Sequence, residues 1–152
     1  MRIILTILVC SSLLFSYQKG DMVSKEIKEK LNIKDDKIYV IDFFASWCAS
    51  CKREMPQLSS VNDTIDKSKI ELIGIDVDED LKKGQTFQKE RREAKELNFR
   101  VVDDPKGEVV KLFEPVGMPA LYIVKEGKVV DFLFGARDDI DTLLLGVLKE
   151  LE

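Results

Sequence analysis

Cys48 and Cys51, separated by two residues, are the side chains in this chain best suited to chemistry. Before them runs Ile38-Tyr39-Val40-Ile41-Asp42-Phe43-Phe44-Ala45, rich in β-branched and aromatic residues, which reads as a buried strand. After them Met55, Leu58, Val61 and Ile65 recur at helix-like spacing. The pair therefore lies where a strand hands over to a helix. The first turn of a helix has unpaired N–H groups and the positive end of the macrodipole. A thiolate at Cys48 is stabilised there, and the thiolate is the nucleophile of disulfide exchange. Cys51 is near enough to attack a mixed disulfide and release the partner. The competing readings are a structural pair or half of a zinc site. Zinc takes four ligands, and the chain has no histidine and only one other cysteine, Cys10, close to its start. No metal and no other cofactor is expected.

The run Ile41-Asp42-Phe43-Phe44-Ala45-Ser46-Trp47-Cys48-Ala49-Ser50-Cys51, with Pro56 five residues on, resembles the active-site segment of thioredoxins. Glu54 in Cys51-Lys52-Arg53-Glu54-Met55-Pro56, together with Gly117-Met118-Pro119, is similar to the extracytoplasmic TlpA/ResA-like branch. The resemblance spans about residues 36 to 150 and implies a thioredoxin-like α/β fold, a mixed sheet with helices on both faces. It implies that Cys48 attacks, that Cys51 resolves, and that the two alternate between dithiol and redox disulfide. Glu54 would sit beside the cysteines, tune their pKa values and move protons. Asp42 would be buried behind Cys51 as a proton relay, although the lysine that partners it in thioredoxins has no counterpart in Ile70 to Val77. Either carboxylate could serve as the base. Pro119 would be a cis-proline, leaving the backbone of Met118 to pair with a substrate strand, and Trp47 would shield the thiol at the rim. Each has a plainer reading: a solvated glutamate, an aspartate facing water, a trans proline in a loop, a core tryptophan. Ala49-Ser50 departs from the Gly-Pro common in thioredoxins, and these positions influence the potential.

Composition limits the alternatives. The length of 152 residues fits one domain. A net charge of −4, with no basic face or arm, argues against nucleic acid. Met1-Arg2 precedes about a dozen mostly apolar residues, Ile3 to Phe15, the pattern of an export signal. The run is short for a membrane span of about 20 residues, so residues 1–18 read as a cleaved signal or a marginal anchor and residues 19–152 as the domain. Ile7-Leu8-Val9-Cys10 also weakly resembles a lipoprotein signal, lipidated at Cys10. In each case the domain lies in the periplasm or cell envelope, where disulfides persist.

The remaining elements position the pair. Ser24 caps a helix from Lys25 to Leu31. Ile70 to Val77 reads as a central parallel strand, and Leu81 to Asn98 as a charged helix with a stripe of Phe87, Ala94 and Leu97. Arg100 to Val102 is a short strand, and Glu108 to Phe113 a helical turn. Ala120 to Val124 and Lys128 to Phe134 form a hairpin. Asp138 or Asp139 caps a last helix with Ile140, Leu143, Leu144, Val147, Leu148 and Leu151 on one face. Pro56 is read as a bend in the helix after the cysteines rather than its end.

The expected activity is extracytoplasmic thiol–disulfide exchange with exported proteins. By resemblance the protein is a monomeric reductant fed by a membrane thiol donor, serving cytochrome c maturation or another exported protein. The alternatives are a thioredoxin-fold adaptor without redox turnover and, more weakly, a peroxide-reducing thiol enzyme.

Overall fold

The computed structural model describes residues 16–152. The apolar run of the expected export signal, Ile3 to Phe15 with Cys10, lies outside the described part. Among the described residues no helix is long and apolar enough to cross a membrane.

The order of elements is α1 (Lys25–Leu31), β1 (Ile38–Phe44), α2 (Ala49–Thr64), β2 (Ile70–Asp76), α3 (Leu81–Glu93), β3 (Arg100–Asp103), α4 (Glu108–Phe113), β4 (Ala120–Lys125), β5 (Lys128–Phe134) and α5 (Ile140–Leu151). The sheet runs β3-β2-β1-β4-β5. β2 lies parallel to β1 and β3, whereas β4 is antiparallel to β1 and to β5. This is the expected mixed sheet, with β1 at its centre and every β1 residue buried.

Alternation along β1 sends its side chains to two cores. Ile38, Val40 and Phe44 join α2, α5 and Phe87 of α3 on one face. Tyr39, Ile41 and Phe43 meet α1 and α4 on the other. Each fully buried aliphatic or aromatic side chain here contributes about 1.5–3 kcal/mol. Asp42 falls by the same alternation on the face with α2, the helix that carries the cysteines. Tyr17 also belongs to the packed body: its ring lies tilted against that of Phe113, centroids 5.2 Å apart.

Several local expectations change. The helix read to Asn98 ends at Glu93. Lys95 adopts left-handed backbone at φ 60, and the Arg92 guanidinium donates to the carbonyls of Leu97 and Phe99. Leu97 is thus buried from the following loop, and Ala94 is exposed. On α5, Leu145 packs against the core with Val147 and Leu151. Asp139 stands at its N-cap, yet its side chain makes no capping bond. Pro56 lies inside a continuous α2.

Candidate active site

The turn at the C-terminal end of β1 sets the two cysteines. Cys48 N–H donates to the Ala45 carbonyl at 3.1 Å, and Lys52 N–H to the Cys48 carbonyl at 3.2 Å. Cys48 is the N-cap of α2 in extended backbone, and Cys51 sits in the first turn. The two are joined as a disulfide with Cα atoms 5.3 Å apart. Cys51 N–H points at Cys48 Sγ from 3.2 Å, and Ser50 Oγ lies 3.6 Å from the same sulfur. In the dithiol these groups face a Cys48 thiolate together with the helix dipole, and both lower a thiol pKa. Cys51 Sγ faces inward, 4.0 Å from the Phe43 carbonyl oxygen. Both cysteines are buried, Cys48 at 6% and Cys51 at 3% exposed.

Two buried carboxyls share this region. Asp42 is 3% exposed. Its register neighbours are Gly74 on β2 and Leu121 on β4, neither of which offers a charge. Burial pushes its pKa up to about 8, and the Glu54 charge adds to the rise. Glu54, one turn beyond Cys51 on α2, is also buried. Burial raises its pKa; the Arg137 N–H, donating to Oε1 at 2.6 Å, and the Arg137 and Arg53 charges pull the other way. The loop after β5 thus holds Glu54 by its backbone. Arg137 was not singled out from the sequence, because a backbone donor in an exposed loop leaves no residue-type signal.

Two large apolar side chains near the turn are exposed. Trp47 is 61% and Val116 76% exposed. Trp47, Gly117 and Met118 line one groove of about 470 Å³, which Glu79, Lys106 and Lys111 also line. The Met118–Pro119 bond is cis. Met118 packs against the core cluster that includes both cysteines, and the buried Pro119 accepts from Gly135 N–H at 3.0 Å through its carbonyl. Trp47, Met118 and the cysteines therefore meet at one end of the sheet.

Beneath the turn lies a second buried acidic group. Ser46 donates its N–H to Asp78 Oδ2 at 2.7 Å and its hydroxyl to Oδ1 at 2.8 Å. Asp78 N–H donates to Asp76 Oδ1 at 3.0 Å, and Gln88 Nε2 on α3 to Asp76 Oδ2 at 2.7 Å. Burial raises Asp76 to about 6, against the bonds from Asp78 N–H and Gln88. In the sequence Asp78 is one acidic residue of Asp78-Glu79-Asp80. The available signal was its position: two aspartates at the carboxyl end of a parallel strand, where α/β proteins place their sites.

A family model described as the AhpC/TSA family matches residues 15–132. The thiol-disulfide oxidoreductase ResA of Bacillus thuringiensis subsp. konkukian is 25% identical over 155 residues, covering 90% of this chain and 87% of that protein. The sporulation thiol-disulfide oxidoreductase A of Bacillus subtilis is 28% identical over 87 residues, covering 57% of this chain and 52% of its own length. Among solved structures, a Chlorobium tepidum protein provisionally described as the thiol:disulfide interchange protein DsbE superposes with a TM-score of 0.73 at 23% identity, over 90% of this chain and all of that one. The architecture is thioredoxin-like.

Proposed function

The chain belongs to the AhpC/TSA family, and on that premise we propose that it is a thiol–disulfide oxidoreductase acting outside the cytoplasm on disulfides of exported proteins. The observation that carries the reading is Cys48 at the start of α2, with Cys51 N–H aimed at its sulfur. ResA and the sporulation oxidoreductase A bear the same activity in their names.

The reaction follows from the two sulfurs. The Cys48 thiolate attacks one sulfur of a substrate disulfide; a Cys48–substrate disulfide forms and the second substrate sulfur leaves as a thiolate. Cys51 then loses its proton and attacks Cys48 Sγ. The Cys48–Cys51 disulfide closes, the first substrate sulfur leaves, and both substrate thiolates take up protons. Two electrons pass from the pair to the substrate. Glu54, one turn beyond Cys51 on α2, takes the Cys51 proton, or Asp42 does so from its ionised form; burial holds both pKa values above the ordinary carboxyl value. Trp47 and Met118 seat the substrate chain, whose backbone pairs with the residue before Pro119 as an added strand.

The protein works as a monomeric reductant. A membrane thiol donor restores the dithiol, and cytochrome c maturation or another exported protein consumes it. Residues 1–18 direct the chain out of the cytoplasm as a signal or anchor, with lipidation at Cys10 as the alternative. Insulin reduction by dithiothreitol tests the chemistry: the wild-type chain accelerates it and Cys48→Ser does not. Cys51→Ala should trap the substrate as a stable mixed disulfide, identified by mass spectrometry. Full activity in Cys48→Ser removes the reading in favour of an adaptor.

A further inference from the structure

The Asp78 carboxylate is placed to hold the active-site turn from below. It is 4% exposed, and both of its oxygens accept from one residue, Ser46. Ser46 is two residues before Cys48, and between them stands Trp47. The two bonds fix Ser46 by main chain and side chain at once, so the backbone that delivers Trp47 and Cys48 leaves it in one direction. The carboxylate is itself braced. Asp78 N–H bonds Asp76, and Asp76 is gripped by Gln88 of α3, which reaches on to Asp103 of β3 at 2.7 Å. α3 also presses close: a Cβ on Gly84 would lie 2.7 Å from Asp76 Oδ2. Asp78 and Trp47 also line one cleft of about 350 Å³. A buried carboxylate is costly unless its oxygens are bonded. Here they are bonded to the segment whose geometry the chemistry needs.

Resting on the oxidoreductase reading, we propose that Asp78 is a positioning residue: through Ser46 it locks the Trp47–Cys48 turn in the orientation from which Cys48 attacks. The carboxylate does not touch the reacting sulfur in this role. What matters is the pair of bonds rather than the charge, because an amide at position 78 can accept the Ser46 N–H and donate to the Ser46 hydroxyl.

Trp47 is the chain's only tryptophan, so its fluorescence anisotropy reports this turn alone. The full chain is compared as wild type, Asp78→Ala and Asp78→Asn, at a temperature where circular dichroism shows each folded. Asp78→Ala should lower the Trp47 anisotropy and slow insulin reduction at least fivefold. Asp78→Asn should keep both within twofold of wild type. If Asp78→Ala does not fold, Ser46→Ala deletes the hydroxyl bond alone and should lower the anisotropy in the same direction, with Ser46→Thr restoring it. Wild-type anisotropy and rate in a folded Asp78→Ala overturn the proposal, as does an Asp78→Asn variant that falls as far as Asp78→Ala, or unchanged anisotropy in Ser46→Ala. A wild-type chain that reduces no insulin removes the oxidoreductase reading, whereas the anisotropy series still decides whether Asp78 locks the turn.

Discussion

Replacing Asp42 by Asn should stabilise the protein at neutral pH and flatten its pH dependence. The carboxyl titrates at 3.8 in an ordinary setting and at about 8 in the fold. Between those values the unfolded chain is ionised at this group while the folded chain keeps the proton. The folded state then binds more protons, so stability falls as pH rises across that window. Each pH unit is worth about 1.4 kcal/mol, so the cost reaches on the order of 4 kcal/mol by pH 7. Asn has nearly the same shape and no proton to lose. The gain of Asp42→Asn over wild type should be near zero at about pH 4 and grow to that figure by about pH 7. Urea unfolding of the disulfide form across this range measures it without interference from thiol titration, through a shift of midpoint at constant slope. Stability curves for the two proteins that run parallel from acid to neutral pH would refute the reasoning, since they would mean Asp42 ionises in the fold much as it does outside it.

The same two carboxyls should separate in kinetics. Glu54→Gln and Asp42→Asn each slow resolution of the mixed disulfide, and the double variant loses on the order of 10²- to 10⁴-fold, the scale of general acid–base catalysis; rapid-quench measurement of the Cys48 adduct checks this, and a double variant as fast as wild type speaks against both as bases. Gly84→Ala gains about 1 kcal/mol of helix propensity but drives a Cβ to 2.7 Å from Asp76 Oδ2 and 3.2 Å from Asp78 Cβ. Against an overpacking cost of about 1–3 kcal/mol the net should be a loss of up to about 2 kcal/mol, read as a lower melting temperature; a more stable variant would show that the Asp76 corner gives way freely. Met55→Ala, 1% exposed beneath the cysteine helix, should cost about 2–5 kcal/mol by leaving a cavity, seen in the denaturant midpoint; a cost under about 1 kcal/mol would mean that α2 closes over the gap.

Much of this was legible because local signals agreed. Ile38 to Ala45 is apolar enough to demand the centre of a sheet, and the Cys48–Cys51 spacing against it needs only a helix start to become reactive. Ser24 caps α1 as its type predicts, accepting from Ile27 N–H at 3.2 Å. Misreadings arose where contacts from outside an element decide. The spacing of Phe87, Ala94 and Leu97 fits a helix, yet α3 stops early because Arg92 finds the carbonyls of Leu97 and Phe99 once the chain turns back at Lys95. Asp78 looked like one charge among many, since only the parallel pairing of β1 with β2 brings it under Ser46. Glu54 carried a stronger signal through its place after Cys51, but its partner, the Arg137 N–H, lies 83 residues on. Such contacts are written in topology and not in residue type.

The central claim is that backbone geometry at the start of α2 makes Cys48 acidic. Titrating the reduced full chain by thiolate absorbance, with Cys10→Ser and Cys51→Ala leaving Cys48 as its one thiol, tests it most directly. Cys48 should ionise below about 7.5, against about 8.5 for an ordinary thiol. Ionisation of Cys48 at or above the ordinary value would contradict the account.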